Sequence, residues 1–164
     1  MNARKHVKAV SFLLALACSG QAAATDCPAP GDWARMFYTK HYSFYGEEPK
    51  APLLALTTPE FGALLKKEWA SSQGEVGSID YDPWLGAQDG KIGEPVRFTV
   101  DKTTADTALV TMTYPFTLDK KRPAENHVVH LTLRKPAEAC WLLDDLVTPL
   151  NESLAHLYAG SAQQ

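Results

Sequence analysis

Long apolar runs, catalytic signatures and cysteines are all scarce in this chain, and each shortage closes off a class of function. The apolar stretch AVSFLLALA at residues 9–17 falls well short of the roughly 20 residues that a membrane-spanning helix needs. No Gly-x-Ser-x-Gly elbow, phosphate-cradling glycine loop or dinucleotide fingerprint occurs. Serine-hydrolase, nucleoside-triphosphate and nicotinamide chemistry therefore have no sequence support. There is no internal repeat, low-complexity tract or second-domain linker, so a single domain is expected.

What is present begins with an export segment. Arg4, Lys5 and Lys8 precede the short apolar run, and QAAATD at residues 21–26 offers small residues at the spacing a signal peptidase reads, with a cut after Ala24. A rival lipoprotein ending at Cys18 is disfavoured by Leu16, where such signals prefer a smaller residue. Without a lipid on Cys18, no stable membrane anchor is expected. Removing residues 1–24 takes away three basic residues and no acid, so 13 basic face 19 acidic ones and the formal charge falls from −3 to −6. That sign disfavours nucleic acid or an anionic membrane as partner. Cys27 and Cys140 remain, and in an exported chain they allow one bridge; two buried free thiols are the alternative.

The periodicity changes once along the chain. Asp32 is read as the N-cap of a first helix, with Trp33, Phe37, His41 and Phe44 on one stripe and Tyr38, Tyr42 and Tyr45 on an adjoining one. Thr58, Pro59 and Glu60 announce a second helix, with Phe61, Leu64, Leu65 and Trp69 on one face. Period two then takes over at residues 95–100, 107–118, 127–134 and 140–147, predicting four strands. Thr148 is read as the cap of a short final helix at residues 149–158. Helices followed by a run of antiparallel strands predict an α+β domain over residues 25–164, with helices gathered on one face of a curved sheet.

DYDPWLGAQDG at residues 80–90, the late CWLLDDL and the closing ESLAHL resemble the bacterial family called domain of unknown function 3828, across nearly the whole exported chain. The resemblance implies a cone-shaped fold similar to nuclear transport factor 2, with helices leaning over a four-stranded antiparallel sheet that can enclose a pocket. It also implies a home in the periplasm of a Gram-negative bacterium. It supplies no activity, since such folds host enzymes, ligand carriers and protein-binding modules alike.

Candidate chemistry is thin. Counted from Asp80 as an EF-hand loop, the fifth, sixth and twelfth positions are Trp84, Leu85 and Lys91, which fails three of the required places. His127 and His130 sit an odd number of residues apart on a strand and point to opposite faces, so they cannot share a metal. No metal or cofactor is expected. A pocket could draw on His41, Tyr38, Tyr45 and one of Asp144 and Asp145, since adjacent strand residues face opposite ways. Asp80, Tyr81, Asp82, Trp84, Gln88 and Asp89 form the candidate partner-binding stretch: Trp84 and Leu85 are expected to plug the cone while the aspartates fasten the backbone. Three readings follow. The first is a non-catalytic periplasmic binding protein, in its most concrete form an immunity-type inhibitor of a cell-wall-attacking toxin. The others are a small-ligand carrier and an acid/base enzyme, both using the cone interior.

Overall fold

The computed structural model describes residues 27–72, 76–119, 121–137 and 139–160. The export segment, its cut after Ala24 and Cys18 lie outside the described residues. The most regular alternation in the sequence forms the central strand, β3 (Thr107–Thr117), whose residues alternate between half-buried and buried along its length. Ala108, Val110, Met112 and Tyr114 enter the core. β4 (Glu125–Arg134) pairs antiparallel with one edge of β3, and β5 (Leu142–Val147) pairs with β4. The other edge of β3 is shared by β2 (Arg97–Thr103) and by a two-residue strand, β1 (Lys91–Ile92). The sheet is therefore five-stranded rather than four-stranded, curled and wholly antiparallel in its strand pairing, and the chain is α+β.

Helices cover the sheet's core face. α1 (Pro30–Lys40) buries Trp33, Ala34 and Phe37. It starts two residues before the expected cap: Ala29 is the N-cap and Pro30 opens the helix, where its fixed φ and missing N–H cost nothing. Asp32 sits in the first turn, favourably placed in the helix dipole. The helix also stops early, at Lys40, and residues 41–46 continue as tight turns. The Tyr42 carbonyl, which a continuing helix would use internally, accepts the Trp84 indole N–H at 2.8 Å instead. A single-turn helix, α2 (Ala51–Leu54), follows unannounced by the sequence.

α3 (Pro59–Ser72) begins as expected, with Thr58 Oγ1 accepting the Phe61 N–H at 3.3 Å. α4 (Leu154–Gly160) is shorter than expected and is capped by Ser153, whose Oγ accepts the His156 N–H at 3.1 Å. Thr148 instead holds the preceding turn, accepting from Leu150 and Glu152. Lys67 of α3 donates to the last carbonyls of α4, Tyr158 and Ala159, both at 3.3 Å, placing a cation at the negative end of that helix. Cys27 and Cys140 are bonded, with Cα atoms 5.3 Å apart and a sequence separation of 113. The bridge ties the entry to α1 to the start of β5. No described helix is long and apolar enough to cross a membrane.

Candidate functional site

Residues 78–90 run between α3 and the sheet as an irregular segment, and almost every polar group that points inward is bonded. Asp82 does the most. Its Oδ1 accepts the Trp84 N–H at 2.8 Å, and its Oδ2 accepts the Tyr42 hydroxyl at 2.5 Å. Its backbone N–H donates to the Ala87 carbonyl at 3.1 Å while its carbonyl accepts from Leu85 and Gly86. The chain thus closes a small loop on itself. Gly86 makes that closure possible: its φ is +64°, and a Cβ there would lie 3.1 Å from Pro149. Any other residue would meet both backbone strain and a neighbouring chain.

Trp84 is the apolar anchor of the loop. It is fully buried at 0% exposure, edge-on to Tyr38 (5.2 Å between ring centroids) and Phe44 (5.9 Å) and stacked on Tyr42 at 6.1 Å. The Tyr114 hydroxyl, from the centre of β3, donates to the Trp84 carbonyl. Leu85 is also buried, and its carbonyl lies 2.9 Å from His127 Nδ1. Because a carbonyl only accepts, that contact makes Nδ1 the donor and fixes the ring's proton there. Further along, Gly90 passes so close to Phe116 that a Cβ would stand 2.3 Å from its ring.

The other end of the segment is fastened by residues the sequence did not single out. Glu68, on α3 and only 6% exposed, accepts the Ser78 N–H at 2.5 Å and the Ser78 hydroxyl at 2.6 Å. The Tyr81 hydroxyl donates to the Glu152 carboxylate. With the segment pinned at Ser78, Tyr81, Asp82, Trp84 and Gly90, three of its side chains remain exposed: Asp80, Gln88 and Asp89. Gln88 Nε2 donates to Asp80 at 3.1 Å.

The six partner-binding candidates therefore separate. Asp82 and Trp84 face inward and hold the loop, Tyr81 is half-buried against Glu152, and Asp80, Gln88 and Asp89 form an outer rim. The pocket candidates do not converge on one cavity. Tyr38 packs beside Trp84, and Tyr45 lines the same cleft as Asp82. His41 caps α1 and lines a separate cleft of about 210 Å³ near Lys40 and Glu47.

Asp144 and Asp145 serve other elements, because a register shift between Thr132 and Leu133 lifts Asp144 out of the β4–β5 ladder. Asp144 accepts from Thr58 at 2.9 Å and from Arg134 at 2.8 Å. Asp145 accepts the Ala155 N–H at 2.9 Å and the Ser153 hydroxyl at 2.7 Å, steadying the start of α4. Among the described residues no three His, Cys, Asp or Glu side chains are grouped as metal donors.

Beneath the rim lies a cleft of about 650 Å³. One wall comes from Tyr45, a second from Glu68 and Trp69 of α3, and a third from Asp80, Tyr81 and Asp82, with Tyr158 of α4 also contributing. Among the described residues that line it, none is Lys, Arg or His.

Burial, followed by hydrogen bonding to and repulsion from nearby carboxylates, raises the Tyr81 phenol to about 12. Burial is also the first cause of the upward displacement of the other five tyrosines, Tyr38, Tyr42, Tyr45, Tyr114 and Tyr158, with Asp82 adding to it at the first four. A tyrosine whose folded pKa exceeds its unfolded one contributes stability in full below the unfolded value of 10 and loses it as pH rises toward the folded value. Two results are expected: less phenolate absorbance near pH 10 in the folded protein than in the unfolded one, and stability that falls from about pH 10 upward. Spectrophotometric titration at 295 nm alongside urea melts checks this, and one tyrosine ionising at the ordinary midpoint contradicts it.

No family model matches the chain, nor does any curated protein or solved structure.

Proposed function

We propose that this chain is a non-catalytic binding protein of the bacterial periplasm, with a nuclear transport factor 2-like fold, and that it grips a basic protein through the rim of residues 78–90. The most concrete form of this reading is an immunity-type inhibitor whose acidic rim meets the basic mouth of a cell-wall-attacking toxin. The observation that carries it is the division of labour within the segment. Asp82, Trp84 and Tyr81 fix the backbone from inside, so Asp80, Gln88 and Asp89 are presented with little backbone ordering left to pay on binding. The exported chain's charge of −6 and the lack of any basic side chain among the described residues of the adjoining cleft favour a positively charged partner. The Cys27–Cys140 bridge accords with an oxidising compartment.

The carrier reading needs room on the sheet's core face, which is filled by fully buried Trp84, Tyr114, Met112 and Phe37. The acid/base reading needs a group poised to take a proton near neutrality. In the cleft the tyrosines are held protonated, and both Asp82 oxygens accept hydrogen bonds. Capture from periplasmic extract, and from products of neighbouring open reading frames, tests the binding reading. A basic secreted protein retained at low salt and released by salt is the expected result. Repeated capture of nothing but acidic or neutral proteins, or of none, contradicts it.

A further inference from the structure

We infer that the cleft under the rim is an anchor site for one arginine side chain of the partner, with the guanidinium lying between the aromatic rings of Tyr45, Trp69 and Tyr81. This rests on the partner-binding reading above and adds the chemistry of the group that enters. The cleft, at about 650 Å³, is ample for a single long side chain and its hydration. Its walls combine aromatic rings with the carboxylates of Glu68, Asp80 and Asp82, and among the described residues none that lines it carries a positive charge. An anion entering would meet the like charge of Asp80 and Asp82, which disfavours phosphate and carboxylate ligands.

A cation gains twice there, from the field of the carboxylates and from the ring faces. Arginine suits the site better than lysine, because a planar guanidinium stacks on rings while its fork still reaches a carboxylate. The chain already uses this pairing within itself, where the Arg35 guanidinium lies 4.9 Å from the centre of the Phe98 ring. The receiving groups are also built rather than draped. Glu68 is 6% exposed and held by both donors of Ser78, and Asp82 is fixed by Tyr42 and the Trp84 N–H. Asp80, on the exposed side, is the carboxylate most accessible to an incoming fork.

The test is an NMR titration of the disulfide-bonded protein with N-acetyl-arginine amide, run beside N-acetyl-citrulline amide, N-acetyl-lysine amide and the disaccharide of N-acetylglucosamine. Saturable shifts confined to residues 78–82 and the Trp69 indole N–H are expected with the arginine probe. Citrulline, which keeps the shape and loses the charge, should bind at least about fivefold more weakly, and raising salt from 20 to 200 mM should weaken the arginine probe about twofold to threefold. Trp69→Leu and Asp80→Asn should each weaken it about threefold or more. Asp80 is exposed, so its variant keeps the test valid even if the Trp69 change loosens α3.

Equal binding of citrulline, preference for lysine or the disaccharide, or arginine shifts scattered over acids outside the cleft would overturn the inference. If a basic partner is captured but arginine does not enter the cleft, the anchor is wrong and the partner reading stands. If arginine enters and no partner is captured, the partner reading falls and the cleft remains a guanidinium site.

Discussion

Trp84→Ala will destabilise the protein by about 3–5 kcal/mol, the range for removing a large aromatic side chain from a packed core. The ring is 0% exposed and packs against Tyr38, Tyr42 and Phe44, so its removal leaves a cavity lined by aromatic rings. Alanine also orphans the Tyr42 carbonyl that the indole N–H satisfies at 2.8 Å, adding about 1–3 kcal/mol if that group stays buried. Trp84→Phe separates the two effects, because it keeps much of the volume and loses only the donor. Its cost is expected nearer 1–3 kcal/mol, reduced where the freed Tyr42 carbonyl can rejoin a lengthened α1. Urea unfolding of the three proteins measures this. A loss below about 1 kcal/mol for the alanine variant would mean that the segment is not part of the core.

Removing the Cys27–Cys140 bridge is the second large effect. With a sequence separation of 113 between the two cysteines, the chain-entropy model gives about 4–5 kcal/mol for the closed loop. In a domain of this size that corresponds to a fall in melting temperature of about 10–20 °C. The bridge joins the first described residue to the approach of β5, so reduction frees the entry to α1 and the last strand together. A Cys27→Ser, Cys140→Ser double variant should melt low whether or not reductant is present, while the parent should fall to its level only when reduced. Alkylation of Cys27 or Cys140 in denatured, non-reduced protein would contradict the bridge outright.

Parts of this architecture are written locally and parts are not. The alternation at Thr107–Thr117 is legible because a strand with one buried face imposes period two on its own sequence. The α3 start is legible because Thr58 and Pro59 act within one turn of it. The end of α1 is illegible locally, because the carbonyl that decides it belongs to Tyr42 and its partner to Trp84, 42 residues later. The displacement of Asp144 from its ladder is equally hidden, since nothing in DD marks which residue a register shift will lift out.

The site shows the same division. Asp80, Asp82 and Asp89 look alike in the sequence, and a turn-fastening role suits all three. Only the tyrosine brought up from residue 42 makes Asp82 the fastener and leaves the other two outside. Glu68 is hidden by its residue type although its spacing marks it. It falls seven residues after Phe61, four after Leu64 and three after Leu65, on the apolar stripe of α3, whereas Glu60 and Lys66 face water. Its burial is supported by Ser78, ten residues on, which donates to it twice.

That division also chooses the probe for the rim. Asp82 is unsuitable, because changing it loosens the loop as well as removing charge. Asp80 and Asp89 are exposed, and Asp80→Asn with Asp89→Asn should leave the melting temperature unchanged within about 0.5 kcal/mol of stability. The most direct measurement is the association rate of this double variant with the captured partner, at 20 and at 300 mM salt. At low salt it should associate about threefold to tenfold more slowly than the parent, with the difference largely gone at high salt, because rim charges act chiefly on approach and are screened. An association rate equal to the parent's at 20 mM salt would contradict the account and return residues 78–90 to the role of a fastened crossover between helix and sheet.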